Sequence, residues 1–180
     1  MYENSIAPDG PADVGAASIR IPGSKRQSAK SGRGTKQTSA KRAPRRSYPE
    51  LFGARILIVE DDDISAKLVS VLLKVEGAVI KRTRSAEEAL PIAAAFSPQI
   101  AVLDLILPAM SGLLLAEHLK ARAATSDIVL VAMSSYDGRE TESIALGAGC
   151  AAFVKKPIDA AELLDVVAAH LAQSKKGRRL

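Results

Sequence analysis

Residues 99–112 read Gln99-Ile100-Ala101-Val102-Leu103-Asp104-Leu105-Ile106-Leu107-Pro108-Ala109-Met110-Ser111-Gly112. Residues 99–103 form a short apolar run of the kind found in a strand buried on both faces. The run ends on an acid, Asp104, and Pro108, Ser111 and Gly112 then mark a loop. Residues 113–122 return apolar side chains at helical spacing. A strand buried on both faces needs helices on both sides, so this stretch predicts a parallel sheet between two helical layers.

The same alternation extends in both directions. Upstream, residues 55–59 (Arg55-Ile56-Leu57-Ile58-Val59) predict a first strand. A helix follows over residues 64–77, with Ile64, Leu68, Val71, Leu72 and Val75 on one stripe and Gly77 as its stop. Residues 78–83 predict a second strand. Ser85 with Glu88 three positions on is the signature of a capping box, and Pro91, beyond the first turn, should kink or loosen that helix. Downstream, residues 127–133, 138–146, 151–154 and 159–171 predict strand four, helix four, strand five and helix five. Five alternations imply an α/β fold, a doubly wound five-stranded parallel sheet of (βα)5 type. In such folds ligands sit beyond the carboxyl ends of the strands.

Four strand ends carry chemistry. Strand one runs into Glu60, Asp61, Asp62 and Asp63, strand three into Asp104, strand four into Ser134 and Ser135, and strand five into Lys155, Lys156 and Pro157. A parallel sheet gathers these at one edge. Clustered carboxylates repel, and leaving them unpaired costs on the order of several kcal/mol or raises their pKa values. A hard divalent cation relieves this, and Mg²⁺ suits two or three carboxylates, a carbonyl and retained waters. Such an ion can also clamp a phosphoryl oxygen. Asp104 is then the natural nucleophile, Lys156 a counter-charge and Ser134 a hydrogen-bond donor. Asp62 and Asp63 read first as helix N-caps.

These segments (Ile58-Val59-Glu60-Asp61, the run from Leu103 to Gly112, Met133-Ser134-Ser135 and Lys156-Pro157) resemble the four signatures of the response-regulator receiver family of bacterial two-component systems. The resemblance covers about residues 54–172 and implies a flavodoxin-like, CheY-like fold. It matches Glu60 and Asp61 to the acidic pair that positions Mg²⁺, Asp104 to the phosphorylated aspartate and Ile106 to the residue whose backbone carbonyl meets the metal. Ser134 matches the switch hydroxyl, Lys156 the family lysine, and Phe153 the aromatic that swings with Ser134. The implied partners are a histidine kinase or histidine phosphotransfer protein, and a downstream protein that reads the face of helix four, strand five and helix five. The implied chemistry is self-catalysed phosphorylation and dephosphorylation, so the chain is expected to be a phosphoacceptor and not a turnover enzyme. Two departures stand out: Ser134 replaces the commoner Thr, and Phe153 the commoner Tyr. Ser135 and Tyr136 lie close enough to the site to influence dephosphorylation.

Composition fits this reading. Residues 1–50 carry 10 Lys/Arg against 4 Asp/Glu, residues 51–172 carry 11 against 16, and residues 173–180 carry 4 against none. The overall +5 therefore comes from the two ends, and the globule itself is acidic. Residues 1–50 lack apolar periodicity and are expected to be a disordered basic extension, with a short basic tail over 173–180. No DNA-binding domain and no membrane span are expected. One cysteine, Cys150, suits a reducing, cytoplasmic setting and reads as a small buried hydrophobe. His118 and His170 read as rim residues of helices. With only a short run after helix five, no effector domain is expected, and the pattern resembles stand-alone receivers of the DivK and CheY type. The competing readings are a pseudo-receiver that binds partners without being phosphorylated and an aspartate-nucleophile phosphohydrolase. The latter wants an acid two residues after its nucleophile, where this chain has Ile106. A dinucleotide-binding fold is excluded because strand one leads into acids and not a glycine-rich loop.

Overall fold

The computed structural model of the chain describes residues 46–136 and 138–177. Its elements alternate in order: a 3₁₀ turn (Pro49–Leu51), β1 (Arg55–Val59), α1 (Asp63–Val75), β2 (Val79–Thr83), α2 (Ala86–Phe96), β3 (Ile100–Asp104), α3 (Gly112–Ala121), β4 (Val129–Ser134), α4 (Arg139–Gly147), β5 (Ala152–Lys155) and α5 (Ala160–Gly177). All strand pairings are parallel, in the order β2-β1-β3-β4-β5. The order reverses between β1 and β3, the point beyond whose carboxyl ends such folds bind ligands.

Alternation along each strand divides the core. Ile56, Ile58, Ile100, Val102, Val131, Met133 and Val154 face α1 and α5. Leu57, Val59, Ala101, Leu103, Leu130 and Ala132 face the layer that includes α2 and α3. The central strands are buried on both sides, as the apolar run ending at Asp104 predicts.

Two expectations need correction, and the apolar stripe of α1 proves to face outward. The stripe Ile64, Leu68, Val71 and Val75 does not enter the core: all four are exposed, and Leu72 is only half-buried. Ala66, Val69, Ser70 and Leu73 line the sheet instead. Both rows recur at helical spacing, and the smaller one lets the helix axis approach the sheet. The packed part also begins before residue 54. Tyr48 and Leu51 are buried against α1 and α5, and the Tyr48 hydroxyl donates to Asp165 Oδ1 at 3.0 Å. Arg46 pairs with the same carboxylate. Finally, α5 runs on to Gly177, through residues expected in the basic tail. The rest of the expected N-terminal extension, residues 1–45, lies outside the described residues.

Caps explain several boundaries. Asp62 accepts from Ser65 N at α1, Ser85 from Glu88 N at α2, and Ser111 from Leu114 N at α3. The expected capping box at α2 closes indirectly, because the Glu88 carboxylate accepts from Thr83 Oγ1 (2.5 Å). Pro91 is exposed, and α2 continues past it to Phe96. Among the described residues no helix is long and apolar enough to cross a membrane.

Candidate functional site at the carboxyl edge of the sheet

The strand ends meet as the parallel register dictates. Glu60 leaves β1 still bonded to the sheet, its N–H donating to the Thr83 carbonyl. Asp104 is the last residue of β3 and pairs in register with Met133, one residue before Ser134. Ser134 in turn faces Lys155, which places Lys156 one step beyond the edge. The Lys156 N–H donates to the Ser134 carbonyl at 2.8 Å, fixing that step. Lys155 is exposed, whereas Lys156 turns toward Asp104. The register thereby separates two neighbours that sequence alone could exchange.

At the centre, Lys156 Nζ lies 2.6 Å from Asp104 Oδ2 and 2.6 Å from Glu60 Oε2. The other Asp104 oxygen, Oδ1, accepts from Ile106 N at 2.9 Å. Each oxygen of the predicted nucleophile thus has its own donor, and the carboxylate is held in one orientation. Glu60, Asp61 and Asp104 bring carboxylate oxygens within 4.8 Å of one another. One ammonium against three carboxylates leaves the cluster negative, so the oxygen set suits a hard cation. Burial, opposed by Lys156 and reinforced by Asp104, lifts the Glu60 carboxyl from 4.5 to about 7. Burial alone would lower the Lys156 ammonium, but its hydrogen bonds to Asp104 and Glu60 outweigh that and raise it.

The four consecutive acids divide their work. Asp62 caps α1, and the Ser65 amide it receives holds its carboxyl below the usual range. Asp63 turns outward to Arg82 and Arg84 at the end of β2. Glu60 and Asp61 remain beside Asp104. Sequence reasoning foresaw the capping role but not the arginine pair, which depends on β2 lying beside β1.

Gly112 has a steric role. A Cβ there would stand 1.9 Å from the Asp104 carbonyl oxygen and 2.9 Å from Leu105 Cα. Only glycine lets the start of α3 pass so close behind the end of β3. Ala109, in the same loop, sits at φ 63, a left-handed conformation that costs about 1–2 kcal/mol for an L-residue.

The predicted switch pair is placed as follows. Ser134 is buried, and its hydroxyl accepts from Tyr136 N at 3.1 Å. Among the described residues its hydroxyl makes no hydrogen bond to Asp104. Phe153 is half-buried, opposite Ala132 in register and packed on the α2–α3 side of the core. Met110 packs on the same side, and burial lifts the Cys150 thiol to about 11.

The model of the response regulator receiver domain matches residues 56–168. The polar-differentiation response regulator DivK of Brucella ovis is 29% identical over 119 residues, which is 66% of this chain and 97% of that protein. A CheY-like response regulator receiver domain protein from Methanospirillum hungatei superposes with a TM-score of 0.64 at 28% identity, over 69% of this chain and 98% of that one. A putative response regulator from Chloroflexus aurantiacus gives 0.65 at 26% identity, over 67% and 98%. With the fold, the strand-end residues and the matched span in agreement, this chain belongs to the response regulator receiver domain family.

Proposed function

We propose that the protein accepts a phosphoryl group on Asp104 from a phosphohistidine of a histidine kinase or histidine phosphotransfer protein, in a Mg²⁺-dependent reaction, and signals through phosphorylation-dependent protein binding or onward relay. The observation that carries this is the pairing of Asp104 with Lys156 beside Glu60 and Asp61 at the carboxyl ends of the strands.

Glu60, Asp61 and Asp104, with the Ile106 carbonyl, would hold the ion, which would supply positive charge to the phosphoryl oxygens. The chain does the rest. Asp104 attacks phosphorus, the P–N bond breaks, and its electron pair returns to the imidazole. Lys156, already 2.6 Å from Oδ2, follows the charge as it moves onto the phosphoryl oxygens. Ser134 leaves its place beneath Tyr136 N to donate to one of those oxygens. Phe153 then turns toward the space released, and the face of α4, β5 and α5 changes for a downstream partner. The group is lost by hydrolysis, so the protein is a phosphoacceptor and not a turnover enzyme. A cytoplasmic location fits a reaction with these donors.

Incubation with acetyl phosphate and Mg²⁺ is expected to add one phosphoryl mass per chain, read by intact mass spectrometry. A chelator or Asp104→Asn should remove the adduct, and Lys156→Ala should reduce it by at least about tenfold, since a charge-assisted contact of ~1.5–3 kcal/mol is lost. An adduct that persists in Asp104→Asn would overturn the assignment. A folded chain that takes no phosphoryl group from small donors or phosphohistidine proteins would be a pseudo-receiver.

A further inference from the structure

The phosphoryl chemistry leaves the basic ends of the chain without a use. Residues 25–46 hold nine Lys/Arg and no acid, and the other residues there are Ser, Gly, Ala, Thr, Gln and one Pro. Residues 51–172 carry the opposite sign, 11 Lys/Arg against 16 Asp/Glu. Arg46, the last of the nine, is fastened to the globule. It pairs with Asp165 on α5, the Tyr48 hydroxyl donates to the same carboxylate at 3.0 Å, and Leu51 is buried. The second basic run belongs to the same helix. Positions 175 and 176 are lysines within α5, and Arg178 and Arg179 follow its end at Gly177. Position 176 comes eleven residues after Asp165, which is three turns and about 17 Å along the same side of the helix. Since α5 starts at the carboxyl edge and, at about 27 Å, outruns strands of about 17 Å, its end projects past the opposite edge, away from Asp104.

We propose that the two basic runs, brought together along α5, bind the phosphates of duplex DNA without reading its bases, as an arm and a tail and not as a folded DNA-binding domain. The charge selects a polyanion, and the neutral residues select which one. Single-stranded nucleic acid is held by stacking on aromatic side chains, and residues 25–46 have none. A membrane retains a polybasic segment stably only with a second, apolar signal. The tract has no aliphatic side chain larger than proline, and the one cysteine, Cys150, is buried in the globule. Duplex DNA asks for neither, because its phosphates, about one charge per 1.7 Å of axis, answer to Lys and Arg alone. Small neighbours such as those flanking Arg33 let a chain enter the minor groove. Twenty-two residues reach at most about 70 Å, or two turns of duplex. The acidic globule keeps the duplex on the basic ends and off the carboxylate cluster, so the proposal stands apart from the phosphoacceptor reading.

The test follows the fluorescence anisotropy of a labelled duplex of mixed sequence, about 30 base pairs long, as the full chain is added in about 100 to 200 mM KCl. Neutralising seven or more phosphates predicts a slope of log K against log salt of about −6 or steeper, an affinity loss of about sixtyfold across that range. Replacing Lys30, Arg33, Lys36, Lys41 and Arg42 together with glutamine should flatten the slope by at least about 3. Replacing Lys175, Lys176, Arg178 and Arg179 with glutamine should flatten it by about 2 to 3. None of these residues belongs to either core cluster, and each variant should still take a phosphoryl group from acetyl phosphate, which reports an intact fold. Asp104→Asn should bind the duplex like the wild type, which separates this test from failure of the phosphoacceptor reading. A single strand of the same length should bind at least about tenfold more weakly, a difference of ~1.4 kcal/mol. Vesicles containing phosphatidylserine should not retain the chain in the same salt. No binding to the duplex, a slope unchanged by either set of substitutions, or tighter binding to the single strand or the vesicles overturns the proposal.

Discussion

Glu60 is 1% exposed and within 2.6 Å of an ammonium, yet its carboxyl is pushed up to about 7, because burial and the Asp104 charge outweigh Lys156. In the absence of metal the folded chain keeps this proton up to about pH 7, while the unfolded chain releases it near 4.5. Stability contributed by this group is present below pH 4.5, falls as the pH rises toward 7 and is level above that. A cation must displace the proton. Mg²⁺ affinity, measured by calorimetry, should therefore be about tenfold weaker at pH 6 than at pH 8, as one competing proton of pKa near 7 requires. Glu60→Gln should weaken binding and flatten the profile; an unchanged slope would remove Glu60 from the ion's surroundings. At this scale the sequence is readable where chemistry sits at strand ends, because a parallel sheet gathers those ends whatever else the chain does. Glu60, Asp61, Asp104 and Lys156 were legible for that reason. The outward turn of Asp63 to Arg82 and Arg84 was not, since the partners lie on another strand and no local spacing announces them.

Among the elements, α1 separates periodicity from facing. Its two apolar rows both satisfy a helical repeat, and the bulkier one is the exposed one. The buried row sets Ala66 and Ser70 beside Val69 and Leu73, so hydrophobicity alone, which favours the other row, does not announce it. Leu73→Ala should accordingly lose about 2–5 kcal/mol in urea unfolding, the range for a buried leucine. Leu68→Ser should stay within ~0.5 kcal/mol of wild type. The reverse order would mean that α1 faces the other way. The loop from β3 to α3 shows the opposite case. Its glycine is visible in the sequence, but the reason for it, a Cβ 1.9 Å from the Asp104 carbonyl, exists only once β3 and α3 are in place.

For the whole molecule, a doubly wound parallel sheet follows from five strand–helix alternations and the handedness of parallel crossovers, so that much was legible before any contact was known; the order β2-β1-β3-β4-β5 was not, because other doubly wound orders obey the same rules. The edges of the domain were not. Residues 46–51 have too few apolar side chains to announce themselves, yet Tyr48 and Leu51 are buried and two side chains converge on Asp165. A chain beginning at residue 53 should lose about 3–6 kcal/mol in urea unfolding, from ~1.5–3 kcal/mol for each of the two buried side chains. At temperatures where it remains folded it should still accept a phosphoryl group, because the site lies at the strand ends and takes nothing from this segment. An unchanged midpoint would mean that the segment is only laid on the surface.

The central claim is that Asp104 becomes an acyl phosphate. The most direct measurement is borohydride reduction of the acetyl-phosphate-treated chain in Mg²⁺, followed by peptide mass spectrometry, since an aspartyl phosphate is reduced to homoserine and a free carboxylate is not. Homoserine at position 104, and at no other aspartate, is the expected result. Homoserine at position 61, 62 or 63, or none in a chain that carries the phosphoryl mass, would contradict the account.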